Sequence, residues 1–336
     1  MTTHPRHFSR VLAFWAALAC LLTATTALGL EPAFIGVNYG PFHRAGQSPD
    51  LTPHLPAEQI VADLGAISAA GFRHVRTFGL DNGLNQIVPL GHRRFPHLNF
   101  YLGVYVCALN HDDTANSHST RAQMDEAIRL ANSFDTVEGI VVGNECLAGE
   151  PEACRQPVSI EQLIGDLDYV RQRLNGPARS RVRVTTAMSM VAAVKHYETQ
   201  GRRVAEHCDV VMVNIYPFFD RVAVPDAAST VFPGALQHVS RLYAHTGKRL
   251  VVGETGWPSA GPANGAAVPG GENQVHYLRG VSRYAKSNGV SVFLFEMFDE
   301  PWKSAFESVG PHWGLFDGTG RPKLSSPFPW APELRP

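Results

Sequence analysis

The sequence predicts an α/β fold, a single (β/α)8 barrel of the TIM type, and three observations carry that reading. Eight short apolar runs rich in β-branched and aromatic residues recur along the chain. Stretches of helical periodicity separate most of them. The first run ends in Gly36-Val37-Asn38-Tyr39-Gly40, which lacks the GxGxxG spacing of a nucleotide-binding, doubly wound sheet. Strand and helix in alternation argue for a parallel sheet. Eight repeats, rather than five or six, argue that the sheet closes.

The expected strands are 34–39, 74–78, 100–106, 139–143, 182–187, 209–216, 249–253 and 290–295. Several are nearly continuous Val, Ile, Phe and Leu, as strands covered on both faces must be. The first expected helix, 56–70, sets Ile60, Leu64 and Ile67 on one face and is stopped by Gly71. The next, 120–134, carries Met124, Ile128 and Leu130. Ser159 reads as an N-cap with Gln162 three residues on, ahead of Leu163, Leu167 and Val170. Segment 234–245 carries Leu236, Val239 and Leu242 before Gly247. Segment 273–287 carries Val275, Leu278, Val281 and Tyr284 before Gly289.

Composition narrows the function. The 336 residues are 18% charged and 44% hydrophobic, an ordinary globular mix long enough to bury a large core. Net charge is -1, so the basic surplus of a nucleic-acid binder is missing. No HxxxH or CxxC spacing occurs, and neither a metal nor a cofactor is expected. Residues 1–29 read as a secretory leader: Arg6 and Arg10 precede an apolar run, and Ala24-Thr25-Thr26-Ala27 offers small residues for cleavage. An uncleaved membrane anchor is the alternative, and only then is a membrane partner expected. The barrel should occupy 30–322, and 323–336 is a Pro-rich tail. A secreted or periplasmic location follows, and it permits disulfides. Cys146 and Cys154 enclose only seven residues, so they are expected to pair, with Cys107 and Cys208 buried and unpaired.

In a parallel barrel the chemistry sits at the C-terminal strand ends. The fourth run ends in Gly143-Asn144-Glu145 and the seventh in Gly253-Glu254-Thr255-Gly256-Trp257. One such glutamate would read as a solvated loop residue. Two of them, three steps apart around a closed ring, face each other across its mouth. Paired carboxylates there suit glycosidic bond cleavage: one protonates the leaving oxygen, the other attacks the sugar carbon or activates water. The attacking group must stay ionised, so it needs donors, and Arg76 and Tyr216 stand at strand ends to supply them. Tyr39, Phe218, Trp257, Trp302 and Trp313 also fall at or beyond strand ends, where rings could stack on sugar faces.

With these motifs the sequence resembles glycoside hydrolase family 17, the β-1,3-glucanases. The likeness rests on 141–145, 251–259, the run Phe295-Glu296-Met297-Phe298-Asp299-Glu300-Pro301-Trp302-Lys303, the segment 312–316 and the 36–40 start. It spans about 34–317, but residues 146–156 depart from the family's pattern. The resemblance implies Glu145 as general acid/base and Glu254 as nucleophile. It also implies Asn144 on the hydroxyl beside the reacting carbon, with Glu296, Glu300 and Lys303 as polar substrate contacts. Tyr39, Arg76, Tyr216, Trp257 and Trp302 complete the expected substrate-binding set. The expected function is retaining, endo-acting cleavage of β-1,3-glucan by a monomer. A glucanosyltransferase using the same covalent intermediate is the alternative, and a non-catalytic glucan-binding barrel is the other class.

Overall fold

Eight parallel strands close into a barrel in sequence order, β1 pairing with β8 to complete the ring. They are β1 Ile35–Asn38, β2 His74–Arg76, β3 Asn99–Val104, β4 Val137–Asn144, β5 Arg183–Met188, β6 Val211–Asn214, β7 Leu250–Thr255 and β8 Ser291–Leu294. The computed structural model describes residues 32–151, 154–324 and 328. The expected leader and most of the expected tail lie outside these residues. The barrel belongs to the compact unit Phe34–Pro336.

The five expected helices form, their ends shifted by at most two residues. They are α1 Ala57–Ala69, α3 Thr120–Ser133, α4 Ile160–Arg173, α7 Phe232–Tyr243 and α8 Gly271–Asn288, which interleave with α2 Ile87–Arg94, α5 Gly176–Arg181 and α6 Arg202–Glu206. In α1, Ile60, Leu64 and Ile67 are buried against the barrel, each burial worth about 1.5–3 kcal/mol. Ser159 caps α4 as expected, its hydroxyl accepting from Gln162 N. The helix α2 went unforeseen because Pro89 and Gly91 within eight residues hide its period. Two packed layers result. Tyr101, Val141, Met212, Val251 and Phe293 fill the barrel, and a second, larger apolar shell lies between strands and helices. Among the described residues no helix is long and apolar enough to cross a membrane, and no cluster of His, Cys, Asp or Glu could hold a metal.

The cysteine pairing differs from the expectation. Cys107, in the loop after β3, bonds Cys154, in the loop after β4, with Cα atoms 6.0 Å apart. Cys146 and Cys208 are free and buried. The correction has a directional cause: Glu145 turns into the barrel mouth, so the next side chain, Cys146, turns away into the shell between strands and helices. The β3 and β4 loops also meet through Ala108 N donating to Gln156 O at 2.9 Å, which brings Cys154 to Cys107. Closing a chain segment of 47 residues removes denatured-state entropy worth about 4 kcal/mol. A non-reduced peptide digest should therefore contain a Cys107–Cys154 cross-link, and Cys154→Ser should lower the melting temperature. A Cys146–Cys154 cross-linked peptide would reject this pairing.

Candidate active site

Barrel register places the polar residues before their side chains are considered. Asn38 pairs with Arg76 across β1 and β2, and Asn214 pairs with Glu254 across β6 and β7. Each of these residues ends its strand, except Glu254 one position short, so all four converge at the C-terminal mouth. Arg76 and Glu254 are both 1% exposed and form an ion pair at 3.0 Å. The Arg76 guanidinium also donates to Gly253 O at 2.8 Å and to Asn144 Oδ1 at 2.7 Å. Tyr216 Oη donates to the other Glu254 oxygen at 2.7 Å. Glu254 is thus gripped on both oxygens.

Asn214 ties the two glutamates together. Its Nδ2 lies 2.9 Å from Glu145 Oε1, 3.0 Å from Glu254 Oε1 and 3.2 Å from Asn144 Oδ1. Two oxygens that share one nitrogen at those distances lie under about 6 Å apart. Arg76 Nε and Asn214 Oδ1 are buried without a hydrogen-bond partner, a cost that stability alone would not favour.

The approach to Glu145 is strained. Gly143 has φ +81°, and a side chain there would strike Cys146 Sγ. Glu145 itself has φ +47°, a left-handed value that costs a non-glycine residue about 1–3 kcal/mol. The turn is pinned to β5 by Glu145 N donating to Ala187 O at 2.9 Å and by Thr186 Oγ1 donating to Gly143 O at 3.0 Å. It aims the Glu145 carboxyl inward while leaving the residue 5% exposed.

Past β8, Lys303 Nζ sits 2.7 Å from both oxygens of Glu296 and 2.9 Å from Glu300. Burial pushes the Glu296 carboxyl well above the usual range, against the pull of Lys303. Burial also acts to raise Glu300, but Lys303 outweighs it and holds that carboxyl below its ordinary value. Lys303 also lies 4.4 Å from the centre of the Phe295 ring, which packs edge-on to Tyr216. The cluster supports the wall behind Glu254, and Glu296 is fully buried within it.

The aromatic expectations divide. Tyr39 and Trp257 are fully buried, and neither offers a stacking face, a correction to their expected roles. The Tyr39 hydroxyl is committed to Asp63 at 2.7 Å, and Trp257 Nε1 to Val268 O at 3.0 Å. Phe218 and Trp313 are also core. Trp302 remains partly exposed on the rim, packed edge-on to Phe306. The exposed rings beyond the strand ends are instead Tyr105, Phe219 and Phe306, 51%, 50% and 79% exposed, in the loops after β3, β6 and β8. Sequence reasoning also missed Asn214. A usable signal existed: two positions before Tyr216, it shares that residue's face under strand alternation.

A closed eight-stranded barrel with paired glutamates at the ends of strands four and seven has the architecture of the barrel glycoside hydrolases. Residues 36–314 match the BtgE/BtgC glycoside hydrolase domain, and the chain belongs to that family. Among its relatives is a putative glucan endo-1,3-beta-glucosidase, btgC, of Aspergillus niger, 26% identical over 86% of this chain and 42% of that one. A probable beta-glucosidase, btgE, of Emericella nidulans is 27% identical over 84% and 47%. The chain spans less than half the length of these relatives. Its fold matches a glycoside hydrolase family 17 β-1,3-glucanosyltransferase from Rhizomucor miehei at TM-score 0.66, with 22% identity over 87% of this chain and 97% of that one. It matches an endo-laminarinase from Formosa at TM-score 0.71, with 20% identity over 85% and 83%. The family likeness read in the motifs is borne out.

Proposed function

We propose that this chain is a retaining β-1,3-glucan hydrolase in which Glu145 is the general acid/base and Glu254 the nucleophile. The observation that carries the reading is the single Asn214 amide that bonds both carboxylates and so keeps them close, as a retaining pair requires. Arg76 and Tyr216 bond opposite oxygens of Glu254 and so aim the carboxylate. In the first step Glu145 protonates the glycosidic oxygen as Glu254 attacks the anomeric carbon. The leaving sugar departs with the proton, and a covalent glycosyl ester forms with inverted configuration. In the second step Glu145 takes a proton from water, which displaces Glu254 and restores the original configuration.

Asn144 Oδ1 accepts from Arg76 and Asn214, so its amide nitrogen is turned to the position we assign to the hydroxyl beside the reacting carbon. Tyr105, Phe219 and Phe306 are assigned the apolar faces of successive sugars, since exposed rings on a groove rim bury ring area at low entropic cost. The names of the relatives support glucan as substrate. A secreted or periplasmic site of action is part of this reading, resting on the leader-like first segment.

The test is proton NMR of a defined β-1,3-oligosaccharide digest, read before mutarotation. The β anomer should appear first, with products shorter than the substrate. An initial α anomer would defeat the mechanism, and no cleavage would leave a binding barrel. Products longer than the substrate would assign the second step to a sugar hydroxyl in place of water.

A further inference from the structure

Residues 146–156, where the sequence departs from the family's pattern, contain a buried carboxylate that the mechanism above does not use. Glu150 is 7% exposed. Its Oε2 accepts from Leu147 N at 2.9 Å, two residues past Glu145. Its Oε1 accepts from Ser189 N at 2.8 Å and Ser189 Oγ at 3.0 Å, just beyond β5. The turn is closed the other way as well, by Glu150 N donating to Leu147 O at 3.1 Å, with Gly149 at φ +88°. Burial pushes the carboxyl up, against the three N–H and O–H donors that favour its charge. A carboxylate kept inside without a cation among these partners is expensive, so its place calls for a reason.

We infer that Glu150 is a positioning residue for Glu145, a clamp that fixes the strained acid/base turn against strand β5. The inference rests on Glu145 being the acid. The geometry explains why a carboxylate is needed. Both oxygens face donors, one on each side of the seam, and only a group that accepts at both ends satisfies them. A glutamine must set its NH2 against either Leu147 N–H or Ser189 N–H and lose that contact. An aspartate, one methylene shorter, cannot span both. The Glu145 backbone bond to Ala187 O holds one end of the turn, and Glu150 holds the other. Released at that end, Glu145 can relax from its left-handed φ, and displacement of a catalytic group by about 1 Å can cost 10²-fold in rate.

The experiment compares kcat/KM for two substrates in wild type, Glu150→Gln, Ser189→Ala and Glu145→Gln. One is a β-1,3-oligosaccharide, whose departing sugar needs a proton. The other is a dinitrophenyl β-glycoside, whose departing phenolate does not. Glu150→Gln should lose about 10- to 100-fold on the oligosaccharide and little on the aryl glycoside, with Ser189→Ala a weaker copy of the same bias. Equal losses on both substrates, or none, would overturn the clamp, since general damage to the fold lowers both alike. Ser189→Ala supplies the reading if Glu150→Gln fails to fold. Glu145→Gln is the control for the acid itself. If it shows no bias toward the poor leaving group, the acid assignment falls, and the clamp's role falls with it.

Discussion

Glu254→Ala is expected to leave less than about one part in 10³ of wild-type glucan cleavage, because no other group can form the glycosyl ester. Glu145→Ala should lose as much on oligosaccharides but retain the first step on an aryl glycoside with a good leaving group. Added azide separates the two roles. With Glu145→Ala, azide replaces base-activated water on the ester and gives the β-glycosyl azide. With Glu254→Ala, azide fills the space left by the nucleophile and gives the α-glycosyl azide in one step. Product configuration, read by NMR, therefore assigns each residue independently of how far the rate falls. The opposite pairing of azide products with variants would exchange the two assignments.

Arg76→Met should be the most damaging substitution outside the glutamates. It removes the cation from an ion pair in which both partners are 1% exposed. Breaking such a pair from one side costs about 3–5 kcal/mol, since the remaining charge stays buried without its partner. In a chain of this size that is a fall in melting temperature on the order of 10 °C. Catalysis should fall further than stability, because the same guanidinium aims Glu254 and Asn144 together. Arg76→Lys, which keeps the charge and loses the fork, should recover stability more than rate. A melting temperature unchanged in Arg76→Met, measured by calorimetry, would show that the pair is not the support the geometry describes.

The barrel and its two glutamates were legible because both are violations or repetitions of a local pattern. Eight apolar runs alternating with helical periods can bury their strands only in a closed parallel sheet. A carboxylate at the tip of such a run breaks the apolar pattern at the place where this fold does chemistry, as Glu145 and Glu254 do. Arg76 and Tyr216 were legible for the same reason, and the structure sets both on Glu254.

What lay beyond the strand tips was decided by packing. Loops have no period, so the sequence could not tell Phe218, which is buried in the core, from Phe219, which is half exposed. Tyr39 and Trp257 stand at strand ends like their neighbours, but their hydroxyl and indole groups find partners inside. Short spacing favoured a bond between Cys146 and Cys154, yet the turn that points Glu145 inward sends Cys146 the other way. Asn214 touches two residues 69 and 40 positions distant in the chain, a convergence set by barrel closure and strand register. The sequence by itself determined which strands exist and which of them end in chemistry. Only closure of the ring decided which side chains meet across it, because strand alternation sets the side a residue faces and says nothing about what stands opposite.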